Sequence, residues 1–269
     1  MAEMGVAPAP HAALEPLLLA QGPTLPEMRS GAVELPAQTP QYTEFGLSQS
    51  REILSNNPNA WGDTQLDMLH KFAPRKLLIG RATSSERFGL RDRTLGLSGY
   101  YPLAARTTAY AELTSSDTHR VLARDSLHLQ LAQALSDGWG VLGGLRHVNY
   151  NSTAVDVADL TLERYFSDYR IALSAYPSRS QIAGGANSYR LQFSRYYGAE
   201  NNLQFLIARG TEVDKPTGVD SVLAASVRAV ALFGRHWLTR DVSLVYSIGR
   251  TVQGESTRRA ASLGLRYRF

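Results

Sequence analysis

The chain has 269 residues, a formal charge of +4, no cysteine and 22 glycines. No apolar run reaches about 18 residues, which excludes helical membrane spans. Lys and Arg are scattered at strand spacing and form no compact basic run or helix, so no nucleic-acid partner is expected. The absence of cysteine fits an oxidising compartment, where a stray thiol would mispair, and equally fits many cytosolic chains.

Residues 1–40 differ in character from the rest: Ala, Pro, Glu and Leu predominate, with prolines at 8, 10, 16, 23, 26, 36 and 40. There is no positive leading region, and Leu17-Leu18-Leu19-Ala20 is too short an apolar core for a signal peptide. The expectation is a flexible periplasmic tail whose signal lies outside the numbering. A disordered leader on a soluble protein would have the same composition.

From Gln41 onward the pattern is strand, turn, strand, with no helix-period segment able to compete. The spacing predicts strands at 42–54, 64–73, 76–88, 92–102, 105–116, 124–136, 139–150, 155–166, 168–179, 187–198, 201–212, 220–233, 239–251 and 258–269. Gly, Pro or Asp marks tight reversals such as Ala73-Pro74-Arg75-Lys76, Ser136-Asp137-Gly138, Ser167-Asp168 and Gly198-Ala199-Glu200. Between these reversals lie longer polar segments at 55–63, 84–91, 117–123, 151–154, 180–186, 212–219 and 253–257. Tight turns on one rim and longer loops on the other describe an outer-membrane barrel, with both termini at the periplasmic rim.

The last strand carries the sharpest pattern. Ala261, Leu263, Leu265, Tyr267 and Phe269 fall on one face and Ala260, Ser262, Gly264, Arg266 and Arg268 on the other. One face suits hydrocarbon and the other water. A free terminal strand in a soluble protein would be an exposed edge, whereas a closed barrel pairs it with the first strand. Leu263, Leu265, Tyr267 and the terminal Phe269 resemble the signal by which the bacterial outer-membrane assembly machinery recognises its clients. Aromatics concentrated near the tight turns, namely Phe72, Tyr100, Tyr101, Trp139, Tyr165, Phe166, Tyr169, Tyr196, Tyr197, Phe233 and Trp237, read as a headgroup-level girdle. The fold expected is therefore all-β: a flexible tail over 1–40, then one transmembrane antiparallel β-barrel over 41–269. It has about 14 strands, within a range of about 12 to 16, and sits in the bacterial outer membrane.

Several segments also carry a family resemblance. They are Leu77-Leu78-Ile79-Gly80-Arg81, Glu86-Arg87-Phe88-Gly89-Leu90-Arg91-Asp92, Tyr100-Tyr101-Pro102-Leu103, Gly138-Trp139-Gly140-Val141-Leu142-Gly143-Gly144-Leu145-Arg146, Arg195-Tyr196-Tyr197 and the closing Arg266-Tyr267-Arg268-Phe269. Together they resemble the YaiO-type outer-membrane β-barrel family over most of residues 60–269. The resemblance implies an outer-membrane barrel, and some members look like outer-membrane conduits for exopolysaccharide export that work with periplasmic partners. It implies no enzyme, cofactor or catalytic residue. No helical-repeat scaffold is attached in this sequence, so a periplasmic export partner would be a separate chain.

The alternation assigns Glu44, Asp67, Lys71, Tyr110, Glu112, His128, Gln130, Arg146, Glu163, Tyr165, Arg170, Tyr176, Arg190, Gln192, Tyr196, Arg228, Arg266 and Arg268 to the lumen. Arginine outnumbers carboxylate in this set, and Tyr beside Arg or Gln offers an apolar face plus hydrogen bonds to a passing polysaccharide. The same charges could equally pair across strands and plug the barrel as an anchor or receptor. Arg87, Arg91, Arg93, Arg120, Arg124, Arg258 and Arg259, near the longer segments, could meet lipopolysaccharide phosphates or simply be solvated. A membrane-embedded hydrolase is the weakest reading, with His128 and Ser126 or Ser174 as its only recruits. No His, Asp or Glu spacing suggests a metal site.

Overall fold

The computed structural model describes residues 41–55, 57–198, 200–214, 223–254 and 256–269. The expected tail over 1–40 lies outside the described residues. Fourteen strands follow in chain order: β1 (Tyr42–Leu54), β2 (Asn57–Ala73), β3 (Lys76–Arg87), β4 (Leu90–Ala104), β5 (Thr107–Ser116), β6 (Asp125–Ala134), β7 (Trp139–Asn149), β8 (Ala154–Phe166), β9 (Tyr169–Ser180), β10 (Gly184–Tyr197), β11 (Asn201–Asp214), β12 (Leu223–Trp237), β13 (Val242–Gln253) and β14 (Ser256–Arg268). Each pairs antiparallel with its sequence neighbours, and β1 pairs with β14 to close the barrel. Closure leaves no free edge, so a strand as amphipathic as β14 is paired on both sides, with β13 and with β1.

The period-2 alternation sorts the side chains. On β14, Leu263, Leu265, Tyr267 and Phe269 point outward and are 60, 53, 51 and 62% exposed, while Arg266 points inward and is 5% exposed. Leu95, Leu97, Leu129, Leu131, Leu145, Leu160, Leu191, Ile207 and Ile248 are likewise exposed on the outer wall. A contiguous apolar exterior around a charged interior inverts a soluble fold and requires a hydrocarbon solvent.

The rims differ from the sequence expectation. Turns between even and following odd strands are tight, as expected; Asp137 and Gly138 both have positive φ, 56° and 76°. On the opposite rim most of the polar segments are strand rather than loop. β2 begins at Asn57, and β3 and β4 are separated only by Phe88 and Gly89, both at positive φ. Polarity there reflects strands that extend past the apolar band, where ladder hydrogen bonds continue although the solvent changes. Among the described residues 117–124 and 150–153 are true loops, and 215–222 lies outside the described residues.

The girdle also needs correction. Phe72, Tyr101, Trp139 and Phe166 are exposed on the outer wall, joined by Phe45, and Phe45 stacks on Phe269 with centroids 5.4 Å apart. Tyr196 and Phe233, however, are buried at 8% and 1%, on the inward parity of their strands. Tyr100, Tyr165 and Trp237 share that parity and meet inward partners: Tyr110, Tyr196 and Arg268 respectively. An aromatic near a turn is thus assigned to headgroup or lumen by parity alone.

Candidate functional site

The inner wall is organised in four charged or aromatic groups. The first lies at the seam between the first and last strands. Glu44 on β1 is fully buried and receives Arg268 at 2.8 and 2.9 Å, Arg235 at 2.8 Å and Arg266 at 3.7 Å. Arg266 also reaches Asp67 on β2 at 2.7 Å, and Arg268 continues to Glu200 in the β10–β11 turn. The Arg268 guanidinium lies 4.0 Å from the Tyr42 ring and 4.1 Å from Trp237. Charges withdrawn from water this far persist only when paired, and this group pairs them across β12, β14, β1 and β2.

The second group crosses β3 to β8. Tyr110 donates to Glu112 at 2.8 Å, and Glu112 faces Arg146 at 3.6 Å and Arg81 at 3.9 Å. His128 Nε2 meets Asp159 at 2.8 Å, with the Gln130 amide donating to the same carboxylate at 2.5 Å.

A third group runs along β8, β9 and β10 from the tight-turn rim toward the opposite one. Tyr165 stacks on Tyr196 at 6.5 Å, and Arg170 lies 5.9 Å from Tyr165 while donating to Glu163 at 2.7 Å. Further along the wall come Ser174, bonded to Thr161 at 2.7 Å, and Gln192, bonded to Gln204 at 2.5 Å. Arg190 then lies 4.7 Å over the Tyr176 ring. The fourth group guards the far mouth: Arg258 is 1% exposed and pairs with Glu52 at 3.2 Å, Arg87 pairs with Asp63 at 3.7 Å, and both guanidinium groups face the buried Trp61 ring.

Of the residues assigned to the lumen from the sequence, all take the inward parity except one. Arg228 is exposed on the outer wall, directly opposite Arg209, which is also exposed. Its neighbours Val227, Ala229, Ala231 and Phe233 face inward with Leu206 and Ala208, forming an apolar patch on the lumen wall. β12 is apolar on both faces, so alternation gave no reliable sign, and placing the lone charge in water was the wrong resolution. Arg87 and Arg258, read from the sequence as loop charges either solvated or meeting phosphates, are inward and paired. The arginine excess is also smaller than the sequence suggested. Parity with Glu44, Asp67, Glu112 and Glu163 places Glu52, Asp63, Asp92, Asp159 and Glu212 on the inner wall as well, and all of these but Asp63 are buried to below a tenth.

The candidate hydrolase residues are not assembled. Ser126 bonds Thr114 at 2.7 Å, Ser174 bonds Thr161, and His128 is held by Asp159. Among the described residues, no group of His, Asp and Glu could hold a metal ion.

Residues 42–215, well over half of the chain, match the YaiO membrane beta barrel domain. The chain belongs to that family. The matched stretch contains every motif that suggested it except the closing Arg266-Tyr267-Arg268-Phe269. No curated protein matches the chain. Among solved structures, it is similar to a bacterial polysaccharide outer membrane secretin, with a TM-score of 0.55, 11% identity and coverage of 84% of this chain and 98% of that one. It is also similar to the CymD monoaromatic hydrocarbon channel, at TM-score 0.51, 12% identity and coverage of 86 and 88%. The Acinetobacter baumannii outer membrane protein Omp33 matches at TM-score 0.51, 13% identity and coverage of 85 and 99%. At these identities the likeness is one of fold. The protein is a β-barrel of the bacterial outer membrane.

Proposed function

We propose that this YaiO-family barrel is the outer-membrane conduit of an exopolysaccharide export system, receiving polymer from a separate periplasmic partner. The observation that carries the reading is the lane along β8–β10. Two aromatic–arginine stations, Tyr165 with Tyr196 and Arg170, and Tyr176 with Arg190, flank a stretch of neutral amide and hydroxyl groups at Ser174, Gln192 and Gln204. Sugar rings present apolar faces edged by hydroxyls. Aromatic faces beside fixed donors and acceptors match that chemistry repeatedly along the axis without holding any one position tightly. Tyr110, His128, Gln130, Arg146, Tyr165, Arg170, Tyr176 and Gln192 keep part of their surface accessible, which supports a solvated path. The similarity to a polysaccharide secretin points the same way.

The buried seam pairs favour a second reading, a lumen plugged by its own charges in a barrel that anchors a periplasmic complex. Planar-bilayer recording of refolded protein separates the two. Steady conductance, interrupted by added polysaccharide and shifted toward cations by Arg146→Glu/Arg190→Glu, is expected of a conduit. Silence from protein shown to be folded would favour the plug.

A further inference from the structure

On the outer wall, β1, β14, β13, β12 and β11 carry Arg51, Arg259, Arg250, Arg228 and Arg209, all exposed. The register sets two of these contacts side by side: Arg250 is the partner of Arg259, and Arg209 is the partner of Arg228. Like charges directly opposite each other on a sheet are unfavourable. Here the arrangement occurs twice on adjacent strand pairs, and among the described residues none of the five makes an ion pair. Among the described residues the strand neighbours Glu52 and Glu212 are buried on the inner wall, and Glu86, across the groove from Arg51, is paired with Arg91.

The five lie at one height. Below Arg259 on β14 the outward residues are Ala261, Leu263, Leu265, Tyr267 and Phe269. Roughly ten residues at about 3.3 Å, tilted by about 40°, rise about 25 Å, the height of the apolar band. Arg259 and Arg250 therefore sit at its upper edge, on the rim opposite Tyr42 and Phe269. Val230 is the partner of Arg250, and Arg228 stands two residues higher opposite Val252. In a barrel of tilted strands the register row slides along the axis, so this step keeps the belt level. The belt spans five adjacent strands at about 4.8 Å each, or about 20 Å, the scale of lipid headgroups. Around the rest of this rim several outward charges pair, Arg91 with Glu86, Arg124 with Asp125 and His147 with Asp156, and the exposed Arg93 and Arg179 stand at separate positions, neither opposite another arginine. Beside Arg51 the wall also opens into a groove of about 570 Å³, whose lining includes Gly62, Ser84, the Glu86–Arg91 pair, Ala261 and Leu263.

We propose that this belt binds the phosphates of the phosphorylated glycolipid of the outer leaflet, lipopolysaccharide, with the groove beside Arg51 receiving its sugar-proximal portion. Guanidinium groups bind phosphate oxygens through paired N–H donors, and multiply charged phosphates at the leaflet surface would relieve the repulsion within each arginine pair. The chemistry favours a multiply phosphorylated lipid over a singly charged phospholipid, because the arginines are clustered and none of them makes an ion pair among the described residues.

The test uses the full chain refolded in detergent and incubated with lipopolysaccharide, enzymatically dephosphorylated lipopolysaccharide, phosphatidylglycerol or inorganic phosphate. Lipid bound per folded barrel is read by native mass spectrometry, and the heat-dependent shift in gel mobility confirms folding. The wild-type chain is expected to retain lipopolysaccharide and to lose most of it on dephosphorylation. Arg209→Gln/Arg228→Gln/Arg250→Gln/Arg259→Gln is expected to cut retention at least fivefold, whereas Arg124→Gln/Arg179→Gln, outside the belt and the groove, leaves it unchanged. If the fourfold variant does not fold, Arg228→Gln/Arg250→Gln, one residue from each pair, is expected to lower retention about threefold. Equal retention by wild type and belt variant would overturn the assignment. So would equal binding of the dephosphorylated lipid, or competition by inorganic phosphate or phosphatidylglycerol as effective as by lipopolysaccharide.

Discussion

Arg268 and Glu44 are register partners across the seam that closes the barrel, and two guanidinium nitrogens of Arg268 converge on one Glu44 oxygen at 2.8 and 2.9 Å. Glu44 is the common acceptor for Arg235, Arg266 and Arg268, so its removal leaves several buried cations short of a counter-charge. Breaking one side of a buried pair typically costs about 3–5 kcal/mol. Glu44→Ala is therefore expected to destabilise the folded barrel by about that amount, measured by urea unfolding in lipid vesicles. Arg268→Ala should cost less, because Arg235 and Arg266 still neutralise Glu44. Equal stability of Glu44→Ala and wild type would show that the seam charges do not hold the closure.

A second expectation concerns the β6–β7 turn. Gly138 has φ of 76°, and a Cβ there would lie 2.2 Å from the Tyr165 carbonyl oxygen. That carbonyl belongs to β8, so the turn is packed against its neighbouring strand as well as bent. Gly138→Ala should lose at least about 1–3 kcal/mol from the backbone strain alone. Asp137→Gly, at φ of 56°, should be neutral or slightly stabilising. The two variants' melting temperatures check the pair, and similar values would refute the steric account.

The contrast between those positions shows what the sequence discloses. Turn chemistry and alternation are local, so all fourteen strands and the outward face of β14 are legible from the residues alone. Arg228 is not, because Val227, Ala229 and Phe233 on one face and Val230 and Leu232 on the other erase the alternation of β12. The ion pairs are also hidden: Glu44 and Arg268 are 224 residues apart and meet only once the register of the closing seam is known. Polar stretches such as 57–63 read as loops because polarity reports the solvent around a strand, not whether its ladder continues.

Phe269 packs at the seam through both its backbone and its ring. Its backbone pairs with Thr43 at 3.0 and 3.1 Å, and its ring stacks on Phe45 and lies 5.6 Å from Tyr267. Phe269→Ala keeps the backbone pairing and should cost a refolded barrel only about 1 kcal/mol. If the terminal aromatic is read by the assembly machinery, the same variant should lose most of its yield of folded barrel in cells. A loss in cells no greater than the loss on refolding would assign Phe269 to packing alone.

The loop over 117–124 is fastened to the barrel mouth through Asp92, which is fully buried. Its carboxylate accepts the Val121 and Leu122 backbone N–H groups at 2.7 and 2.9 Å and the Thr118 hydroxyl, and it faces Arg120 at 3.7 Å. Asp117 adds a second fastening, accepting the Arg93 and Thr118 backbone N–H groups at 2.9 and 2.7 Å. Those N–H donors hold the Asp117 carboxyl below the usual carboxylate range. A depressed folded-state value means that this fastening is complete above the ordinary carboxylate pKa and is lost as pH falls through the lowered value, so the loop should stay closed at mildly acid pH. Asp92→Ala removes charge-assisted bonds worth about 1.5–3 kcal/mol each. Trypsin cutting after Arg120 or Arg124 reports the open population of the loop. Cleavage at pH 7.5 should rise about tenfold or more in Asp92→Ala, with the barrel itself still folded by its gel mobility. Unchanged cleavage would mean that Asp117 and the strand ends hold the loop without Asp92.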